Sequence, residues 1–293
     1  MTMTTGAPLD TEQATPPHVR PDQPAPPTTR PRAGGALERL RAMGWALVGL
    51  AVLGALWQLG SALSPDLPSP AEGLRELWRL LSNPFYDNGP NDKGVGRHVL
   101  ISLQRVFTGF TMAALVGIPL GLFIGATKRG WQAGNPVVQL LRPVSPLAWF
   151  PIWLIITKNP GKAAVYVIFI TALWPTVLNT AAGAGAIPRD QRNVALVFQF
   201  GRMAYLRHVL LPNALPAVVT GLRQSMGIAW MVIVAVEMLS GGAGIGGFVW
   251  ESYNTGNLAA VTAAILIIGS LGLLLDVGFL RLGRRVALEE VQA

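Results

Sequence analysis

Long apolar blocks without charge alternate with short polar stretches along most of this chain. The first block runs from Ala42 to Pro65, just after Arg39 and Arg41. A helix of that length crosses a hydrocarbon core of roughly 30 Å. Ser64-Pro65-Asp66 ends it, and Ser69-Pro70-Ala71-Glu72 follows. Serine three residues before glutamate, with proline between, predicts a capped helix start. Leu74, Leu77, Trp78 and Leu81 then recur at helical spacing, with Arg75, Glu76 and Arg79 between them. This pattern predicts an amphipathic helix at the membrane interface, too polar to span. A polar loop, Asn83 to Arg97, separates it from the next block.

Five more blocks follow. They cover about Val106–Thr127, Pro143–Thr157 (broken by Pro146 and Pro151), Ala163–Ala184, Ala214–Leu239 and Leu258–Leu280. Between the fourth and fifth spans lies a basic, polar stretch, 185–213. The Pro-, Thr- and Ala-rich residues 1–36 predict a disordered tail. The fold class is therefore all-α: a polytopic membrane domain over 37–285, with short tails at 1–36 and 286–293.

Composition agrees. Of 293 residues 51% are hydrophobic and 13% charged, against roughly a quarter charged in soluble domains. The net charge of +8 does not suggest nucleic acid, because the basic residues are dispersed between apolar runs. With six spans both termini share a side. Twelve basic residues near span ends fall there: Arg39, Arg41, Lys128, Arg129, Arg142, Arg189, Arg192, Arg202, Arg207, Arg281, Arg284 and Arg285. Seven fall opposite: Arg75, Arg79, Lys93, Arg97, Arg105, Lys158 and Lys162. The positive-inside rule then predicts cytoplasmic termini in the plasma membrane. There is no cysteine, and the three histidines lie far apart, so thiol chemistry and a histidine metal site are not expected.

The 185–213 stretch contains Asn193-Val194-Ala195, then Gln199, then Val209-Leu210-Leu211-Pro212. It resembles the cytoplasmic loop of ABC importer permeases, written Glu-Ala-Ala, three residues, Gly, nine residues, Ile, any residue, Leu-Pro. Gly201 sits two positions after the usual glycine. Ser102-Leu103-Gln104-Arg105, Gly117-Ile118-Pro119-Leu120-Gly121, Gly221-Leu222-Arg223 and Val236-Glu237-Met238-Leu239 resemble the same family in order. The segments 83–94, 142–149 and 168–175 look like the nitrate branch, whose relatives carry bicarbonate or cyanate. Taurine and alkanesulfonate permeases are more distant.

The resemblance implies a type I importer permease of six spans plus an interfacial helix. It implies two permease copies, expected to be identical, two cytoplasmic ATPases and an external solute-binding protein. No cofactor is implied in this subunit. Asn193, Ala195, Leu196, Phe198, Gln199, Gly201, Leu211 and Pro212 become candidates for ATPase coupling, with Asn193 to Gly201 as the docking helix and small Ala195 allowing close approach.

Arg223, Trp230, Glu237 and Trp153 are candidates for the translocation path. Each has a plainer reading. Arg223 fits a salt bridge or carbonyl contact as well as a bidentate anion contact. Glu237 fits helix packing or a gate beside Gly241–Gly247, and the tryptophans fit interface anchoring. Asp276 is close enough to Arg281, Arg284 and Arg285 for a local ion pair. Gly117, Gly121 and Gly125 point to close helix packing.

Two other classes fit less well. An ion-coupled secondary transporter needs no coupling loop, and the chain shows no two-fold internal repeat. An intramembrane enzyme would need an acidic, His or Cys cluster. No phosphate-cradling Gly-x-x-x-x-Gly-Lys-Ser/Thr run exists, so the purified chain alone should show ATPase activity no higher than background in a phosphate-release assay.

Overall fold

The computed structural model describes residues 35–89 and 92–292, with side chains left undescribed at a few positions including Arg189 and 284–292. The predicted tail 1–34, and Pro90 and Asn91 of the polar loop, lie outside the described residues. Eleven α-helices are described: α1 (Gly35–Leu63), α2 (Pro70–Ser82), α3 (Val95–Ala126), α4 (Lys128–Leu141), α5 (Phe150–Thr157), α6 (Pro160–Gly185), α7 (Arg189–Val197), α8 (Arg202–Tyr205), α9 (Leu211–Ser240), α10 (Ile245–Asn254) and α11 (Leu258–Gln292). Among the described residues the only β pairing is a single bridge between Asp87 and Lys93. The backbone of 286–292 continues α11 rather than forming a separate tail.

The chain divides into two units at Leu53/Gly54. The described part of the first is the opening portion of α1. All packing below belongs to the second unit.

Helix α2 begins as its sequence dictates. The Ser69 Oγ accepts from the Glu72 N–H at 3.3 Å, and the Ser69 N–H donates to Glu72 Oε2 at 2.8 Å. These hydrogen bonds hold the Glu72 carboxyl below the usual carboxylate range. Leu80 of α2 packs with Val95, Ile245, Val249, Ala263 and Ala264, so α2 lies across the ends of α3, α10 and α11.

The glycines of α3 set the central contact. Gly109 meets Val165 and Ile168, Gly117 meets Leu173 and Thr176, Gly121 meets Val177 and Thr180, and Gly125 meets Ala181. Residue numbers rise together along both helices, so α3 and α6 run parallel. Small residues let the two backbones approach, as membrane helix pairs require. On the other side of α6, Gly183 meets Ala214 and Ala217, while Gly221 meets Pro175 and Asn179. That order is reversed, so α9 is antiparallel to α6. Trp230 and Arg223 of α9 bond Ile268 and Asp276 of α11, so α11 is antiparallel to α9.

This arrangement corrects the third span. Its expected range, Pro143–Thr157, is only half of the element. Helix α4 and the stretch Pro146–Thr157 form a pair bent by 89°. Because α3 and α6 are parallel, the chain between them must return the full length of the bundle, and the bent pair is that return. Five helices are long and apolar enough to span singly, and the pair makes a sixth crossing. The break follows from sequence. The residue before a proline avoids the helical region, and prolines 143 and 146 follow within five residues of Leu141.

At one end of the bundle lie α7, α8 and the starts of α4 and α9. At the other lie α2, α10 and the start of α3. Helix α9 starts after a π-helical segment, Leu206–Leu210, in which the Leu211 N–H reaches back to the Leu206 carbonyl. Pro212 has no N–H to give the His208 carbonyl, which accounts for the widened turn beside it.

A Cβ at Gly125 would overlap the Ala181 backbone of α6. Gly125→Val should therefore destabilise the permease by about 1–3 kcal/mol, read as a lower thermal midpoint in detergent. Gly227→Ala, on α9 where a Cβ meets nothing, should leave the midpoint unchanged.

Candidate functional site: a charged latch, an exposed apolar loop and a cavity at the helix break

Charged side chains are the costliest groups in a spanning bundle, and each finds a different solution here. Glu237, fully buried in α9, accepts from Ser102 Oγ at 2.7 Å and the Gly246 N–H at 3.1 Å through Oε2. Its Oε1 accepts from Arg105 at 2.8 Å. Arg105 also donates to the Ala243 carbonyl, and Ser102 accepts from the Ile245 N–H. The carboxylate thus joins α3, α9, the glycine turn and α10 in one satisfied network, the condition for tolerating a buried charge. The turn has to be glycine. Gly241 and Gly244 take φ of 59° and 139°, and a Cβ at Gly247 would overlap the Gly242 carbonyl. Sequence reasoning places Glu237 beside this tract. It misses Ser102 and Arg105 as partners, although both stand in the Ser102-Leu103-Gln104-Arg105 match.

Arg223 is held by Asp276 of α11 in two parallel contacts of 2.6 and 2.8 Å. This corrects the expected pairing of Asp276 with Arg281; the side chains of Arg284 and Arg285, the other expected partners, lie outside the described residues. It also takes Arg223 out of the set of free cations. Trp230 is 3% exposed and donates to the Ile268 carbonyl, and Trp153 stacks on Tyr166 with ring centroids 4.5 Å apart. Each of the four expected path residues has a partner on a neighbouring helix, with the buried Trp153 Nε1 left unpaired among the described residues, and none lines the cavity described next.

That cavity, of about 150 Å³, opens where the bent pair breaks. Arg142, Val144, Pro146 and Trp149 line it from the bend, Ile170, Thr171, Trp174 and Pro175 from α6, and Gln224 and Ile228 from α9. Thr171 to Trp174 lie about 16–21 Å from the start of α6 at 1.5 Å per residue, close to its middle. Arg142, expected on a cytoplasmic loop, is thus at mid-depth. It is exposed in the single subunit, and its guanidinium has neither an ion pair nor a hydrogen bond to any described residue. Asn179 donates to Gln224 Oε1 at 3.2 Å, which leaves the Gln224 amide donors unpaired among the described residues. The signal in the sequence is an arginine followed by two prolines inside an apolar block.

The 185–213 stretch forms the opposite end. Helix α7 closes with the Phe200 N–H on the Ala195 carbonyl at 2.9 Å and the Gln199 N–H on the Leu196 carbonyl at 3.1 Å. This is the Schellman arrangement, and its left-handed residue is Gln199, at φ 50°. The expected helix from Asn193 to Gly201 is corrected accordingly. It runs Arg189–Val197, stops at Gln199, and restarts after Gly201, which caps α8. Asn193 is exposed on α7. Ala195 is 5% exposed and packs with Ala184, Ile187, Val209 and Leu210, so its small size serves this chain's own core. Leu196, Val197 and Phe198 are instead 70–78% exposed. Leu211 and Pro212 begin α9.

Residues 117–288 match the family described as binding-protein-dependent transport system inner membrane component. The chain belongs to that family. It is 46% identical over 230 residues to the nitrate import permease protein NrtB of a Synechocystis species, covering 78% of this chain and 84% of that protein. It is 41% identical to the bicarbonate transport system permease protein CmpB of Synechococcus elongatus, covering 75% and 81%. A solved structure of the methionine ABC transporter MetNI in an inward-facing conformation matches with a TM-score of 0.58 at 18% identity, covering 66% of this chain and 95% of that one. The fold is that of a type I importer permease. This permease is a multi-pass inner-membrane component of an ABC importer, a transport path rather than an enzyme, and its family implies ATPase and solute-binding partners.

Removing one partner of a buried, hydrogen-bonded charge costs about 3–5 kcal/mol. Glu237→Ala should lower the thermal midpoint strongly, because it strands Arg105. Gln199→Gly should raise stability by up to about 1–2 kcal/mol, by relieving a left-handed non-glycine residue, when chemical or thermal unfolding of the two forms is compared.

Proposed function

We propose that this permease carries nitrate, with nitrite as a companion substrate, into the cell. The observation that carries the proposal is the 46% identity to a nitrate import permease across 84% of that protein's length. In this reading two identical copies form the path and two ATPases drive it. An extracytoplasmic binding protein delivers the anion and makes the first selection. Both termini are cytoplasmic, which puts the α7–α8 end inside and the α10 end outside. The surrounding lipid contacts the exposed apolar faces of the spans. No cofactor is needed in this subunit. Bicarbonate is the second reading, supported by the relative at 41%. Cyanate, taurine and alkanesulfonates are further outcomes of the same test.

The ATPase contact is assigned to Leu196, Val197 and Phe198, with Asn193, Gln199 and Gly201 shaping the loop that presents them. Apolar side chains exposed outside the spans favour a protein partner. Ala195 supports the loop from within.

The test is uptake by proteoliposomes holding the permease, its ATPases and its binding protein. ATP-dependent accumulation of nitrate, with bicarbonate and taurine accumulating far less, is expected. Accumulation of bicarbonate or taurine without nitrate overturns the substrate assignment. The paired change Val197→Glu with Phe198→Glu should release the ATPase during co-purification and abolish uptake, while membrane insertion and thermal midpoint stay near those of the unaltered permease. ATPase retention and full uptake in that variant would overturn the docking face.

A further inference from the structure

We propose that the mid-depth cavity at the break between α4 and α5 is an anion subsite within the membrane path. Arg142 supplies its charge and Gln224 its neutral hydrogen-bond donor. The proposal rests on the reading of this permease as an anion carrier and assigns that reading a place.

Three observations lead there. First, Arg142 is the one basic group at this depth without a partner among the described residues. Arg105 is engaged by Glu237 and Arg223 by Asp276. An unpaired, exposed guanidinium inside a bilayer is tolerated where it faces water or a ligand of opposite charge. Second, the polarity is one-sided. The cavity is lined by no aspartate or glutamate, and Arg142 and Gln224 bring to it N–H donors that no described residue takes up. A site made of donors fits an anion and repels a cation.

Third, the size and walls fit a small ligand. About 150 Å³, bounded by Trp149 and Trp174, is room for a small inorganic anion with some water. The planar guanidinium offers two parallel donors, which suit an oxyanion with two coplanar oxygens such as nitrate or bicarbonate. The break creates the site. A continuous helix through residues 142–149 would carry Arg142 past the cavity instead of at a bend beside α6 and α9.

The natural absence of cysteine provides a direct test. Val144 lines the cavity and is 38% exposed, so Val144→Cys introduces one accessible thiol of similar size. The assembled transporter carrying this change is reacted with a small anionic thiosulfonate and with a neutral one. Turnover with ATP exposes the path. The anionic reagent should react several-fold faster than in the Val144→Cys, Arg142→Gln double variant, with the neutral reagent little changed. Nitrate should slow the anionic reaction only when Arg142 is present. In the cysteine-free background, Arg142→Gln should lower nitrate uptake at subsaturating nitrate by about tenfold, the loss of one charge-assisted contact. Stimulation of ATP hydrolysis by the loaded binding protein should persist, and Arg142→Lys should recover only part of the uptake, because an ammonium keeps the charge but not the two parallel donors.

No reaction at the introduced thiol in any nucleotide state overturns the proposal, because the cavity is then not on a watery path. Reaction without protection by the anion that the transporter accumulates also overturns it. Should Arg142→Gln fail to assemble, protection of the thiol in the presence of Arg142 decides the matter alone. If the transporter accumulates bicarbonate and not nitrate, yet bicarbonate protects the thiol, the substrate assignment fails and the subsite stands. If Arg142→Gln leaves nitrate uptake unchanged, the subsite fails and the substrate assignment stands.

Discussion

Helices α3 and α6 run the same way while touching backbone to backbone along a row of glycines, and most of the bundle follows from that contact. Parallel neighbours in one chain require a return segment between them. Here the return cannot be a straight helix, because Pro143 and Pro146 interrupt it, so it is made from two arms. The glycine row fixes the register of α6. That register places Thr171 and Trp174 opposite the bend and Gly183 against the start of α9. Van der Waals contact along small residues, with no charge involved, thereby locates the polar features of the core.

The charged groups then divide by environment. Glu237 is sealed, and its three donors are two side chains of α3, Ser102 and Arg105, and the Gly246 backbone amide of α10. The Arg223–Asp276 pair is 41% exposed on both sides, so solvent screens its attraction, and its role is to join α9 to α11. Arg142 alone is left uncompensated among the described residues at mid-depth. A bundle that pairs Arg105 with Glu237 and Arg223 with Asp276 and leaves Arg142 open presents an uncompensated positive charge at Arg142.

Much of this is legible in the sequence. Five of the spans, the capped interfacial helix and the distinct 185–213 stretch stand in the periodicity, in Ser69 to Glu72 and in the Val209 to Pro212 match. The packing role of Gly117, Gly121 and Gly125 stands in their spacing of four. Pairing across helices is not legible. Nothing local says that Asp276 reaches Arg223 rather than the arginines one or two turns away, because the choice depends on which faces α9 and α11 present to each other. The bent pair is half visible, since the prolines mark a break. The amphipathic stretch 128–141 is too polar to be assigned to a span without knowing that α3 and α6 are parallel. Ala195 is ambiguous in sequence because burial against one's own chain and burial against a partner demand the same small residue.

The continuity of the helical stretch Arg202–Ser240 has a mechanical consequence. Its 39 residues make a rod of about 58 Å, and a tilt of about 5° about its midpoint moves the two tips about 2.5 Å in opposite directions. One tip belongs to the apolar loop and the other carries Glu237. The same rotation that draws the loop end inward swings the latch end outward. A lever pivoting near Ser225, whose hydroxyl is tied to Thr176 and the Ala172 carbonyl of α6, therefore couples a displacement at the apolar loop to an opposite one at the Glu237 end.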